Sequence, residues 1–277
     1  MLVIPDTEEV LFVTDAMTTG SAPIEGGNLY FEEAGSGPAL VFIHGFSLDS
    51  RMWDDQFDYF SDKFRVIRYD LRGFGKSAEV GTETYSHVED LQRLLKYLKV
   101  EKASVVGHSM GGRVAVDFAI SYPEMTSSLV PVDSILHGFR FKTWDTGYVW
   151  HEGATSGPAA AIAKWLQDPL FAPAQKKKNV ALRLNQIVQE YSGWHFVNPN
   201  PWRALMPATI DQLHKIAVPT LVLVGEEDLD DFHTIASILE ERIPGAKKKS
   251  IVGAGHMSNM EKPVVFNQLI REFLQPR

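Results

Sequence analysis

The chain has 277 residues, 44% of them hydrophobic, enough for one large domain or a domain carrying an insertion, and not the make-up of a disordered or fibrous chain. Its 27 lysines and arginines stand against 35 aspartates and glutamates, a formal charge of −8, which argues against a general nucleic-acid binder because phosphates call for cations in excess. The absence of cysteine excludes a disulfide framework, a thiol nucleophile and a zinc-thiolate site.

The stretch Met1 to Val10 has no basic leader and meets Pro5, Glu8 and Glu9 before an apolar run reaches signal length, and no run approaches the roughly 18 apolar residues of a membrane helix. The expectation is a soluble, cytoplasmic protein with no membrane or nucleic-acid partner. Strands near Leu11 to Thr14 and Asn28 to Glu33, joined across Gly26-Gly27, read as an antiparallel hairpin at a sheet edge. Short apolar runs rich in β-branched residues follow at Ala39 to Ile43, Arg65 to Tyr69, Ser104 to Val106, Ser128 to Val132, Pro219 to Val224 and Lys249 to Val252. They have the length and composition of buried parallel strands. A helix over Tyr85 to Leu98 places Val88, Leu91, Leu94, Leu95 and Leu98 on one face behind caps at Thr84 and Ser86. Alternation of this kind predicts an α/β chain: a mostly parallel central sheet flanked by helices.

The rhythm breaks between Leu136 and Ile210. No β-branched run occurs there, and helical stretches at Ala159 to Gln167 and Asn179 to Tyr191 are interrupted by Gly138, Gly147, Gly153, Pro173 and Pro199. This reads as a helical insertion over residues 136–210, with residues 1–135 and 211–277 forming the core. Five of the six tryptophans (Trp144, Trp150, Trp165, Trp194 and Trp202) fall inside it. It carries eight basic residues against four acidic ones, a net +4, which leaves −12 for the remainder. The runs Lys176 to Lys178 and Lys247 to Lys249 are expected to be solvated faces of helices or loops.

The strongest chemical signal is Gly107-His108-Ser109-Met110-Gly111. A nucleophilic serine needs a tight strand-to-helix turn, and the strand-like Ser104 to Val106 before it and a helical Arg113 to Ile120 after it supply that setting. Serine also needs a base, and histidine has the fitting pKa. Of nine histidines, the order nucleophile, acid, base leaves His233 and His256. His256 is preferred, because Gly253-Ala-Gly255 lets the ring swing across the strand ends, whereas His233 begins a helix. The acid that orients the imidazole is Asp228 after Thr220 to Gly225, with Asp133 a second candidate and Glu226, Glu227, Asp230 and Asp231 solvated. Backbone N–H groups of Phe46 and Met110 are placed to form an oxyanion hole.

These motifs resemble those of an α/β-hydrolase with a helical cap: His44-Gly45-Phe46, Asp70-Leu-Arg72-Gly73-Phe-Gly75-Lys-Ser77, the Ser109 turn, Gly225-x-x-Asp228, and Gly253-Ala-Gly-His256 followed by Glu261-x-Pro263. They run in family order from about residue 28 onward. Met52-Trp-Asp-x-Gln56 and Arg65 to Asp70 with Arg72-Gly73 are similar to the branch of carboxylesterases and 3-oxoadipate enol-lactonases. The resemblance implies a serine hydrolase acting on a small-molecule ester or lactone without metal or organic cofactor; carbon–carbon hydrolysis, perhydrolysis and a ligand-receptor role use the same residues. It departs at Phe232, where relatives often carry proline. Its single glycine at Gly45 makes a lipase-type bulky ester a poor fit, and a serine at the turn argues against dehalogenase or epoxide hydrolase chemistry. A cap in this place roofs the site, which makes His44, Trp144, Trp150, Trp165 and Trp194 candidate substrate contacts and raises the idea that a basic roof draws an acidic substrate.

Overall fold

The computed structural model describes residues 17–275. The chain opens with β1 (Thr18–Ile24) and β2 (Gly27–Ala34), and β3 (Ala39–Ile43) follows. Next come α1 (Asp54–Phe60), β4 (Arg65–Tyr69), α2 (His87–Tyr97), β5 (Ala103–His108), α3 (Met110–Ser121) and β6 (Thr126–Val132). Five helices come next: α4 (Gly147–Ser156), α5 (Pro158–Trp165), α6 (Ala172–Gln175), α7 (Lys178–Glu190) and α8 (Trp194–Val197). The chain then returns through β7 (Leu221–Gly225), α9 (Asp230–Arg242), β8 (Lys247–Ile251), α10 (Ser258–Glu261) and α11 (Pro263–Leu274). Among the described residues no helix is long and apolar enough to cross a membrane.

The eight strands form one sheet in the order β1-β2-β4-β3-β5-β6-β7-β8. The pairs β1–β2 and β2–β4 are antiparallel, and every later pair is parallel. Helices on both faces explain why the central strands carry unbroken apolar runs: every residue of β5 is buried, as are Leu40 to Ile43 and Val66 to Tyr69. Trp53, Phe42, Phe60, Phe118 and Phe266 fill the space between sheet and helices.

The hairpin at the sheet edge is present, but its first strand is β1. Leu11 to Thr14, where the pattern suggested it, lies outside the described residues. The second difference concerns Lys247 to Lys249, which form most of β8. Among the described residues this is the last strand of the sheet, and Lys247 and Lys249 are exposed on it. Lysines on a free edge oppose pairing with another chain, so their charge and their strand conformation are compatible.

Candidate active site

Val106 pairs with Phe42 and Val130, so β5 runs in the middle of the sheet and delivers Ser109 directly beyond its carboxyl end. Ser109 takes φ 53° and ψ −112°, a left-handed conformation unusual for a residue with a Cβ. The glycines around it are needed for close approach: a Cβ on Gly107 would lie 2.1 Å from the Gly111 carbonyl oxygen, and one on Gly111 would lie 2.4 Å from those of Ile43 and His44. The strained turn is held by the Ser109 N–H, which donates to Val132 O at 2.9 Å, and by the Arg113 and Ile135 N–H groups, which donate to Ser109 O. Among the described residues no group bonds the Ser109 hydroxyl, which opens into a cavity of about 260 Å³.

His256 enters the same cavity from the loop after β8. Its Nδ1 lies 2.8 Å from Oδ2 of Asp228, which follows β7, and Oδ1 of Asp228 accepts the Leu229 N–H at 2.8 Å. Both side chains are essentially buried. Burial pushes the imidazole down to about 3, against the opposing pull of the Glu261 and Asp168 carboxylates, and burial pushes the Asp228 carboxyl up. The loop carrying His256 is framed from two sides. Glu261 Oε1 accepts the N–H groups of Gly255 and Met257, while Lys177 Nζ donates to Glu261 Oε2 at 2.6 Å. His108 Nε2 donates to the His256 carbonyl at 2.7 Å, so the neighbour of Ser109 ties the turn to the histidine loop. Phe232, the residue that departs from the family pattern, packs its ring 4.4 Å from that of His256.

Asp133, the second acid candidate, points elsewhere. Its Oδ1 accepts the Gly225 N–H at 2.6 Å and its Oδ2 accepts the Ser258 hydroxyl at 2.5 Å, so it links the end of β7 to the histidine loop and bonds no histidine. Burial and the neighbouring Asp228 hold its carboxyl well above the usual range. His233 sits half-buried in α9, away from the cavity lining. Among the described residues no group of three or more potential metal-ligating side chains converges.

The N–H groups of Phe46 and Met110 have no acceptor in any turn or loop among the described residues, and both residues line the cavity beside Ser109. Trp144, Trp150 and Trp165 line it as well, with Trp150 stacked on Phe46 at 5.8 Å. Two of the candidate contacts do not. Trp194 opens on a separate cleft with Gly73 and Tyr191, because α8 directs Phe196 inward toward Phe46 and Trp194 the other way. His44 is wholly buried below the cavity, donating from Nδ1 to Gly45 O and accepting the Leu71 N–H at Nε2, which braces the strand-end loop.

Trp202, counted among the insertion's tryptophans but not among the candidate contacts, also lines the cavity, as does Asn200, which no sequence signal marks. Two carboxylates behind the wall are equally unforeseen. Asp231 is buried, not solvated: it accepts the N–H groups of Lys142, Thr143 and Trp144 and the Thr143 hydroxyl, and these bonds hold its carboxyl below the usual range despite its burial. Asp168 accepts Trp144 Nε1 at 3.1 Å and the Tyr148 hydroxyl at 2.6 Å. One acid therefore holds the backbone of Trp144 and the other its indole. The basic roof does not form. None of the eight cations of residues 136–210 lines the cavity, and Lys177, Arg183 and Arg203 instead pair with Glu261, Asp55 and Glu89 of the flanking chain.

Comparison with known proteins agrees with this architecture. A family profile described as alpha/beta hydrolase fold matches residues 38–263. The chain is 27% identical over 242 residues to 3-oxoadipate enol-lactonase 1 of Acinetobacter baylyi, covering 86% of this chain and 89% of that one. It is 27% identical over 261 residues to the pimeloyl-[acyl-carrier protein] methyl ester esterase of Vibrio campbellii, covering 89% and 98%. Among solved structures it is similar to a thermophilic esterase from Thermogutta terrifontis, with a TM-score of 0.78, 27% identity and coverage of 94% and 98%.

Proposed function

Because the chain belongs to the α/β-hydrolase fold family, we propose that it hydrolyses a carboxylic ester or lactone of a small to medium apolar substrate through an acyl-enzyme on Ser109. The observation that carries this reading is the convergence of an unbonded, strained serine, a buried His256–Asp228 pair and two free backbone N–H groups on one cavity. Ser109 Oγ attacks the acyl carbon while His256 Nε2 takes its proton, and Asp228 accepts the Nδ1–H and favours the imidazolium so formed. The Phe46 and Met110 N–H groups receive the negative charge that develops on the carbonyl oxygen. His256 then gives the proton to the departing alkoxide. Water repeats the sequence on the acyl-enzyme, releasing the acid and restoring Ser109. Residues 136–210 act as the roof, with Trp144, Trp150 and Trp165 as substrate contacts. These steps call on no metal or organic cofactor.

The test is a panel of short and medium acyl esters, lactones and ring-cleavage diketones, run beside labelling with a fluorophosphonate. Turnover of esters or lactones with one adduct per chain by intact mass is the expected result. An unlabelled protein inert toward the whole panel would sink the proposal.

The same assay checks the base. Burial lowers the pKa of His256, so the neutral imidazole that accepts the serine proton persists to lower pH than an ordinary histidine allows. The acid limb of kcat/KM is therefore expected below the ordinary value, with little loss between about pH 7 and about pH 6. A limb centred at or above the ordinary histidine pKa would show that the paired Asp228 carboxylate outweighs burial in setting the His256 titration.

A further inference from the structure

The cavity is lined mostly by aromatic and aliphatic side chains, with Thr146 and Asn200 as polar members outside the Ser109 and histidine groups, and among the described residues its lining contains no lysine, arginine, aspartate or glutamate. Even the polar edges of two tryptophans are turned away from it. Trp144 Nε1 donates to Asp168 and Trp165 Nε1 donates to Ser47 at 2.7 Å. The buried acidic groups beside the site are Asp228, which bonds His256, and Asp168 and Glu261, close enough to act on it.

One cation stands directly behind the wall. Arg113 lies on α3 one helical turn beyond Ser109, and its guanidinium carbon sits 3.9 Å from the ring centre of Trp202, which lines the cavity. Arg113 is itself poorly provided for. Its contact with Asp117 is long at 3.5 Å, and its Nε has no hydrogen-bond partner among the described residues. The indole of Trp202 thus both borders the substrate space and packs on an under-satisfied guanidinium.

Resting on the hydrolase reading above, we infer that the cavity accepts uncharged acyl esters and rejects those whose acyl chain ends in a carboxylate, and that Trp202 enforces this by screening Arg113. An anion entering the cavity sheds its water and meets no countercharge, which is unfavourable by enough to cost orders of magnitude in kcat/KM. A neutral chain loses little water and gains contact with Phe46, Trp150 and Trp165.

The experiment compares kcat/KM for 4-nitrophenyl butyrate and 4-nitrophenyl hydrogen succinate near neutral pH, where carbon number and leaving group match and a terminal carboxylate replaces a methyl group, with rates corrected for the spontaneous hydrolysis that the succinate's own carboxylate assists. The wild type is expected to favour the butyrate by about 100-fold or more. Trp202→Ala is expected to shrink that ratio about tenfold by raising turnover of the succinate, and adding Arg113→Met is expected to abolish the gain. Trp202→Phe keeps an aromatic ring at this position, and the ratio with it. Trp202→Val carries the same comparison should the alanine variant fail to fold. A wild-type ratio within about threefold overturns the inference alone, as does a Trp202→Ala ratio that stays unchanged or a gain that survives Arg113→Met. Turnover of neither ester by a protein that also takes no fluorophosphonate label overturns the hydrolase reading and the inference with it, whereas turnover of neither by a labelled protein overturns the inference alone.

Discussion

Ser109→Ala is expected to lower kcat for a 4-nitrophenyl ester by roughly 10⁴- to 10⁶-fold and to abolish the fluorophosphonate adduct. Nothing in the site replaces the lost nucleophile: the chain has no cysteine, and Ser47 and Ser258 are committed to Trp165 and Asp133. Residual catalysis would come from the Phe46 and Met110 N–H groups acting on a water molecule, which is why the expected loss is finite. The variant should fold as the wild type does, since the Ser109 hydroxyl supports no other group, and an unchanged melting temperature separates lost chemistry from lost structure. A Ser109→Ala protein that kept full esterase activity would remove the acyl-enzyme from the mechanism.

The second large effect separates the two buried aspartates. Asp228→Asn is expected to reduce kcat by on the order of 10³- to 10⁴-fold, because an amide that presents its NH₂ to Nδ1 selects the wrong imidazole tautomer and cannot offset the imidazolium charge. Asp133→Asn is expected to behave differently. Its oxygens receive the Gly225 N–H and the Ser258 hydroxyl, so losing one acceptor loosens the join between β7 and the histidine loop and costs about 1–3 kcal/mol of stability. Its kcat should fall far less than that of Asp228→Asn. Steady-state kinetics and chemical denaturation on the same two variants decide the matter, and the reverse ranking in kcat would move the acid's role to Asp133.

Much of the fold was legible because buried parallel strands leave a plain trace: five-residue apolar runs such as Ala39 to Ile43 and Leu221 to Gly225 recur at the spacing that crossover helices require. The Ser109 turn and the position of His256 were legible for a related reason. Close backbone approach restricts Gly107 and Gly111 to glycine, so the geometry is written in residue type. Hydrogen-bond partners were not. Asp231 and the solvated Asp230 beside it look alike in sequence, and only the return of residues 142–144 over α9 makes one of them a buried acceptor. The cavity wall was partly legible. Tryptophan density marked the segment that lines it, but not the direction of each ring: at Gly193 a positive φ of 71° starts α8 and leaves Trp194 outside. Net charge misled for a similar reason, because +4 over a segment says nothing of where Lys177, Arg183 and Arg203 find their partners.

The double hold on Trp144 bears on how such a protein could be remodelled. Asp228, Asp231 and Phe232 all belong to the β7–α9 junction, so the turn that orients His256 also anchors residues 142–144 of the overlying segment. Transplanting a foreign segment in place of residues 136–210 would leave the Asp231 carboxylate walled in without its four donors, a burial that is strongly unfavourable. If residues 136–210 roof the site as proposed, substrate range is therefore not an interchangeable part. A new roof has to be selected together with the first turn of α9, and single replacements at Thr146, Trp150 or Trp202, which leave that junction intact, are the changes by which specificity can drift.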